Sequence, residues 1–258
     1  MMGLVEELVR SARERARGIA VLEPDGPPTG PSFEAVLRGK HCLDVIAEFK
    51  RRSPSLGAIA EPALEEQVRR YEEAGAAAIS VLTEPTRFGG SCEDLSRAVR
   101  SVDVPVLMKD FVVDPAQVRE AARLGARAVL LILRCLSEAD LDELVSACAH
   151  YRLTPLLECH RVSEIEKALR HGAAVIGANN RDLETLEIDL ALAPRLLAEV
   201  SRDRVTVAES GYGKAEDVRG LGGLADAVLV GSALMRHEDP AKLVKLIKLN
   251  RLNSEIRG

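Results

Sequence analysis

The sequence predicts a closed (β/α)8 barrel. Short β-branched apolar runs alternate with amphipathic helical patterns from Asp44 onward, and such alternation implies a parallel sheet with crossover helices. The alternation continues to eight units, the number that closes a barrel. The competing architecture, an open doubly wound sheet, is disfavoured because no G-x-G-x-x-G follows the first strand. The 258 residues suit a one-domain α/β barrel, which reaches about 250 residues. The expected division is one domain over 1–258, with an N-terminal helical extension at 1–43 and the barrel at 44–250.

In the extension, Leu4 to Gly18 reads as a helix with Leu4, Val5, Leu8 and Val9 on one stripe. Residues 23–32, rich in Pro and Gly, read as a loop. Ser32 is placed to cap a short helix through Leu37. Strand one is Asp44 to Lys50, and its helix spans Pro62 to Ala74 with Gly75 as the stop. Strand two is Ala77 to Leu82, with a helix from near Ser91. Strand three is Val104 to Lys109. Asp114 and Pro115 then stand as N-cap and first helical residue, and Gly125 ends that helix.

Strand four is Ala126 to Leu133. Ser137 with Asp140 reads as a capping box before Leu141, Leu144, Val145 and Cys148. Strand five is Thr154 to Glu158, and its helix carries Val162, Ile165 and Leu169 up to Gly172. Strand six is Ala173 to Asn179, with a helix around Leu190 to Val200. Strand seven is Arg204 to Glu209, with a helix from Lys214 to Leu221. Strand eight is Asp226 to Val230. Pro240 opens the last helix, which carries Leu243, Leu246 and Ile247.

Composition narrows the function. Apolar residues make up 47%, enough for a large core, so disorder is excluded. A net charge of −5 argues against a nucleic-acid binder and against polybasic membrane attachment. With 3% aromatic residues and no Trp, little is left to stack bases. The cysteines Cys42, Cys92, Cys135, Cys148 and Cys159 are odd in number and contain no C-x-x-C. His41, His150, His160, His171 and His237 lack metal-ligand spacing. The expectation is therefore a cytoplasmic protein with no metal and no structural disulfide. The N-terminus lacks a signal-peptide core, and no apolar run is long enough to span a membrane.

In a barrel of this kind the chemistry sits where the strands end. Those ends carry Glu48 and Lys50, Lys109, Glu158, Asn179, and Glu209 with Ser210. Glu48 and Lys50 are two apart, so they share a strand face. One charged strand end is ordinarily the chain leaving the core for water. A set of them around one rim implies a pocket, because burying charge without a use is costly. Lys50, Lys109 and Arg181 can receive an anion, while Glu48, Glu158 and Glu209 can act as acid, base or orienting groups. Gly211 in E-S-G-Y-G and Gly231 in V-G-S-A-L-M follow strands seven and eight, where barrels hold phosphate. Ser232 opens a short helix there, and Ser53 from loop one lies nearby. His160 is expected at the surface. Cys159 is expected to point into the helix layer, and Phe88 and Phe111 either join the core or wall an aromatic substrate.

These residues resemble the indole-3-glycerol phosphate synthase family of tryptophan biosynthesis. The resemblance runs through IAEFKRRSPS (46–55), SVLTEPTRFGGS (80–91), PVLMKDFVVD (105–114), LLE (156–158), IGANNRDLETLEID (176–189), VAESGY (207–212) and VGSALMR (230–236). The extension resembles the family's extra helical segment, which packs over the barrel mouth. The resemblance implies closure of 1-(o-carboxyphenylamino)-1-deoxyribulose 5-phosphate to an indole, with loss of carbon dioxide and water and without a cofactor. It makes Lys109 the general acid at the ribulose carbonyl. Glu158 assists ring closure and stabilises positive charge on the anilino system. Lys50 holds the substrate carboxylate and is a candidate acid in dehydration, with Glu48 the matching base. Asn179 positions Glu48 or substrate hydroxyls, and Arg181, Glu209 and Ser210 support the site. Ser53, Gly211, Gly231 and Ser232 hold the phosphate, and Phe88, Phe111, Leu130, Ile132 and Leu183 wall the anthranilate ring.

The implied partner is a small phosphorylated substrate. A monomer is expected, with a complex of tryptophan-pathway enzymes left open. Two departures stand out: Leu56 where many relatives carry Lys, and Arg52 where a small residue is common. Another phosphosugar barrel enzyme and an inactive phosphate-binding barrel remain as alternatives. The isomerase that makes this substrate would use a cysteine near the end of strand one, where Glu48 and Lys50 stand here.

Overall fold

The computed structural model describes residues 3–38, 43–60 and 62–255, so His41, Cys42 and Glu61 lie outside the described residues. Eight parallel strands close on themselves. They are β1 Asp44–Phe49, β2 Ala78–Leu82, β3 Val106–Lys109, β4 Ala128–Ile132, β5 Thr154–Cys159, β6 Val175–Asn179, β7 Val205–Glu209 and β8 Ala227–Val230. Asp44 opposite Ala227 and Ile46 opposite Ala78 seal the first strand between the last and the second. Val45, Ile46, Ile79, Leu107, Leu131, Leu156, Val207 and Val228 are all buried, as strands covered on both faces must be.

The helices α1 Leu4–Arg17, α2 Phe33–Leu37, α3 Leu64–Glu73, α4 Cys92–Val99, α5 Pro115–Arg123, α6 Glu138–Tyr151, α7 Val162–Arg170, α8 Leu192–Leu197, α9 Ser232–Arg236 and α10 Pro240–Glu255 follow the expected order. Their starts have local causes. Ser91 accepts from Asp94 N at the head of α4, and Asp114 accepts from Ala116 N with Pro115 behind it. Ser137 and Asp140 form the anticipated capping box. Gly75, at φ +90°, ends the turn after α3 in a conformation that favours glycine. In α10, Leu243 and Ile247 are buried while Leu246 faces out.

Three expectations need correction, and one feature of loop one was not foreseen. Ser32 precedes α2 but makes no side-chain cap. The seventh connection is a 3-10 segment, Ala215–Leu221, in a stretch that carries Gly220, Gly222 and Gly223 and so disfavours an α-helix. The first loop contains a small antiparallel pair, Arg52–Ser53 with Gly57–Ala58, too short for any sequence period to mark. His160, expected at the surface, is 7% exposed, because β5 runs one residue past Glu158 and carries the chain inward before α7. Among the described residues, no helix is long and apolar enough to cross a membrane.

Candidate active site

The strand ends converge on a cavity of about 440 Å³ at the barrel mouth. The expected residues Glu48, Lys50, Ser53, Phe88, Lys109, Phe111, Leu130, Ile132, Glu158, Asn179, Arg181, Leu183, Ser210, Gly211, Gly231 and Ser232 all line it. Glu209 sits beneath, 1% exposed, bonded to Lys109. Strand register brings these side chains together. Leu82 is opposite Lys109, Ile132 opposite Glu158, Asn179 opposite Glu209, and Glu48 opposite Ser80. Residues far apart in sequence thus end at one height on one rim.

Lys109 is the hub. Its Nζ lies 2.7 Å from Glu209 Oε2, 3.8 Å from Glu158 Oε2 and 4.0 Å from Glu48 Oε2. Burial works against its charge, but Glu209, Glu158 and Glu48 outweigh that and hold the ammonium above its ordinary range. Lys50 pairs with Glu48, Nζ to Oε1 at 2.7 Å. Burial pushes the Glu48 carboxyl up, but Lys50 and Lys109 prevail, so it titrates below the usual carboxylate range. Glu209 goes the other way. Burial lifts it, Lys109 only partly offsets this, and Glu158 lifts it again, to about 7. The mouth therefore holds a charged acid, an ionised carboxylate and a carboxyl able to carry a proton near neutrality.

Two glycines make room for this charge. A Cβ on Gly177 would overlap Glu209 Oε1, and one on Gly231 would overlap Glu48 Oε1 and stand 2.9 Å from Lys50 Nζ. Gly231, read from the sequence as part of a phosphate loop, is thus also the floor under the Glu48–Lys50 pair. Gly177 went unnoticed in the sequence because it sits inside an apolar strand.

The lower rim is polar backbone. Ser210 and Gly211 have φ of +66° and +90°, and the Ser210 carbonyl accepts from Asn180 Nδ2 at 2.9 Å. Asn180 Nδ2 also donates to the Tyr212 hydroxyl, fixing Tyr212 against the cavity. Ser53 Oγ accepts from Leu56 N at 3.2 Å. Arg236, which had not been singled out, lines this side as well. Asn179 Oδ1 accepts from Arg181 N at 3.0 Å, and Arg181 Nη1 donates to Leu186 O at 2.8 Å, so this loop is shaped by its own side chains. Leu56 lines the cavity and is 44% exposed.

The upper wall is apolar, and α1 completes it. Leu4 and Leu8 line the same cavity as the strand ends. The helix is tied down by polar contacts. Leu4 N donates to Glu184 Oε2, Arg87 Nη2 donates to Glu7, and Arg15 makes a two-pronged contact with Asp110 at 2.9 and 2.7 Å. Asp110 also accepts from Thr83 Oγ1 at 2.7 Å. Glu84, 1% exposed, accepts from the Thr86 hydroxyl and from the backbone N–H groups of Thr86, Arg87 and Phe88, and against burial these bonds, that of the hydroxyl foremost, hold its carboxyl below the ordinary range. It shapes the loop that presents Phe88. Asp110 and Glu84 were not singled out from sequence, since their partners are distant or depend on a loop fold no pattern encodes.

The comparisons agree with this geometry. A family model described as Indole-3-glycerol phosphate synthase matches residues 7–247. Relatives named indole-3-glycerol phosphate synthase include one from Deinococcus radiodurans, 50% identical over 77% of this chain and 75% of its own. Another, from Opitutus terrae, is 45% identical over 84% of this chain and 85% of its own. A third, from Parafrankia sp., is 44% identical over 91% and 88%. The solved 3-hexulose-6-phosphate synthase from Salmonella typhimurium superposes with a TM-score of 0.67 at 12% identity, over 82% of this chain and 100% of its own, a likeness of fold alone. The barrel, the convergent lysine–carboxylate cluster and these matches together establish that the chain belongs to the indole-3-glycerol phosphate synthase family.

Proposed function

We propose that this chain converts 1-(o-carboxyphenylamino)-1-deoxyribulose 5-phosphate to indole-3-glycerol phosphate by general acid–base catalysis, using the residues of the barrel mouth. The observation that carries the reading is one part-buried lysine, Lys109, within 4.0 Å of carboxylates from three different strands, under an apolar wall. Ring closure joins the ring carbon bearing the carboxylate to the ribulose carbonyl carbon, and the carbonyl oxygen must take a proton. Lys109, held in its charged form, is the acid. Glu158 faces the anilino side and offsets the positive charge that builds there. The carboxylate then leaves as carbon dioxide and its bonding electrons return to the ring.

Dehydration needs an acid for the departing hydroxyl and a base for the proton on the methylene carbon beside nitrogen. The Lys50–Glu48 pair suits both tasks. Lys50 also suits the substrate carboxylate, and Arg181, Asn179, Ser210 and Glu209 support the cluster. Ser53, Gly211, Gly231 and Ser232 would bind the phosphate. The anthranilate ring fits between Phe88, Phe111, Leu130, Ile132 and Leu183. Enclosure by this wall and α1 brings ring carbon and carbonyl together and excludes water. All of these groups come from one chain, which supports a single-domain monomer as the working unit, and the unpaired cysteines fit a cytoplasmic setting.

The test is an indole fluorescence assay on the purified protein with this substrate and EDTA. Emission should rise at a catalytic rate. Lys109→Ala should lower turnover by on the order of 10²-fold or more with circular dichroism unchanged. Turnover near wild type in that variant would sink the role of Lys109. Substrate binding with no product from the wild type would favour an inactive phosphate-binding barrel instead.

A further inference from the structure

The proposed reaction has a proton balance that the mouth residues alone do not close. Carbon–carbon closure adds a proton to the carbonyl oxygen. Departure of the hydroxyl as water adds a second, and only one is returned, from the methylene carbon. Loss of carbon dioxide consumes none. Each turnover therefore draws one net proton from solvent, at a stage when bound substrate would fill the mouth above Lys109.

A second cavity, about 380 Å³, lies beside the first and shares Ile188 with it. Its lining includes Arg134, Asn180, Asp182 and Glu187, and His160 forms part of its wall. His160 lines the second cavity and stands beside Glu158, which lines the first. Its Nε2 is 3.5 Å from Glu158 Oε1 and its Nδ1 is 3.9 Å from Glu164 Oε2. Both ring nitrogens, like Glu158 Oε1, are buried without a hydrogen-bond partner, an arrangement whose cost favours a use. Glu158 turns its other oxygen, Oε2, toward Lys109 Nζ at 3.8 Å. The line from the second cavity to the catalytic ammonium thus runs His160, Glu158, Lys109.

We propose that His160 is a positioning and relay residue that carries the incoming proton from the Glu164 side of its ring to Glu158, and through it to Lys109. The inference rests on the reaction proposed above. A proton reaches the buried Nδ1 by way of Glu164, whose Oε2 is 3.9 Å away on a side chain that keeps some exposure, and the Nε2 proton passes to Glu158 Oε1. Glu158 then restores the proton that Lys109 gave to the carbonyl oxygen, and the imidazole, left neutral with its proton on Nδ1, turns over to present N–H to Glu158 again before the next cycle. Burial holds the imidazole below its ordinary range, with Glu164, Glu209 and Asp182 pulling it up and Arg134 pushing it down. It is therefore neutral at pH 7, able to accept on one nitrogen while donating from the other.

The test uses His160→Asn and His160→Ala in the full chain, assayed with the carboxyphenylamino-deoxyribulose phosphate beside the wild type. Both should lose about tenfold or more in kcat with little change in KM. Added imidazole should restore His160→Ala in a saturable way and leave the wild type unmoved. A folded His160→Asn with wild-type kcat overturns the proposal. So does a slow His160→Ala that imidazole does not help, since a structural role would not respond to buffer. Should His160→Ala fail to fold, His160→Asn decides alone. A slowed kcat with a larger solvent deuterium isotope effect than the wild type supports the relay, and one with an unchanged effect ends it. Absence of turnover in the wild type sinks the reaction itself, and the relay with it.

Discussion

At the scale of single residues, the site is a balance between charges that must be close and the space they require. Glu48 and Lys50 meet at 2.7 Å because Gly231 offers no side chain beneath them. We expect Gly231→Ala to push Glu48 off Lys50, costing about 1–3 kcal/mol of stability through overpacking. It should also cost on the order of 10²-fold in kcat/KM through misplacement of reacting groups. Thermal melts and steady-state kinetics check both, and wild-type kinetics would show that the pair tolerates the shift. The charged residues of this cluster were legible in sequence, since each ends an apolar run and strand ends define the mouth. Gly177, Glu84 and His160 were not. Their roles depend on which atom of which distant strand or loop they meet, and a neighbour across the barrel leaves no mark on local periodicity.

At the scale of elements, strands proved easier to foresee than their connections. The eight apolar runs carry their own signal, and the caps at Ser91, Asp114 and Ser137 are local hydrogen bonds between residues two or three apart. The hairpin in loop one is too short for any period to mark, and the 3-10 turn before β8 keeps a helix-like spacing that only its terminal glycines set apart. Helix α1 was expected over the mouth only through family resemblance. Its clamp, Arg15 on Asp110, could not be read from either residue's surroundings. Asp110 is 4% exposed, so removing Arg15 leaves its carboxylate short of its cationic partner. We expect Arg15→Ala to loosen α1 while the barrel stays folded. KM should rise several-fold, kcat should change less, and proteolysis between α1 and β1 should quicken. A variant with wild-type KM and wild-type proteolysis would mean that the other ties, Leu4 to Glu184 and Arg87 to Glu7, hold the helix unaided. The force behind the prediction is a buried carboxylate left without its cation, keeping only its bonds from Thr83 Oγ1 and Phe111 N.

For the whole molecule, closing the barrel gathers acidic groups at one end, and pH acts on them in opposite senses. Glu48 and His160 both titrate lower in the folded state than ordinarily. Their contributions to stability are present above the unfolded pKa and are lost as pH falls through the folded one. Glu209 is the reverse. Its carboxyl is raised from 4.5 to about 7, so the folded state binds a proton that the unfolded chain has already released. Its contribution is fully present below about pH 4.5 and is lost as pH rises through about 7. The swing is on the order of a few kcal/mol. Glu209→Gln keeps the shape, removes the titration and leaves Glu48 and His160 in place, so its pH dependence reports mainly on this group, with a smaller part from the pull Glu209 exerts on His160. The difference in melting temperature between wild type and Glu209→Gln should favour the wild type most near pH 5 and shift steadily toward the variant up to pH 8. A difference that stays flat across that window would mean Glu209 is ionised throughout. Lys109 would then face three fixed negative charges, and the proton held near neutrality at the mouth would have to reside elsewhere.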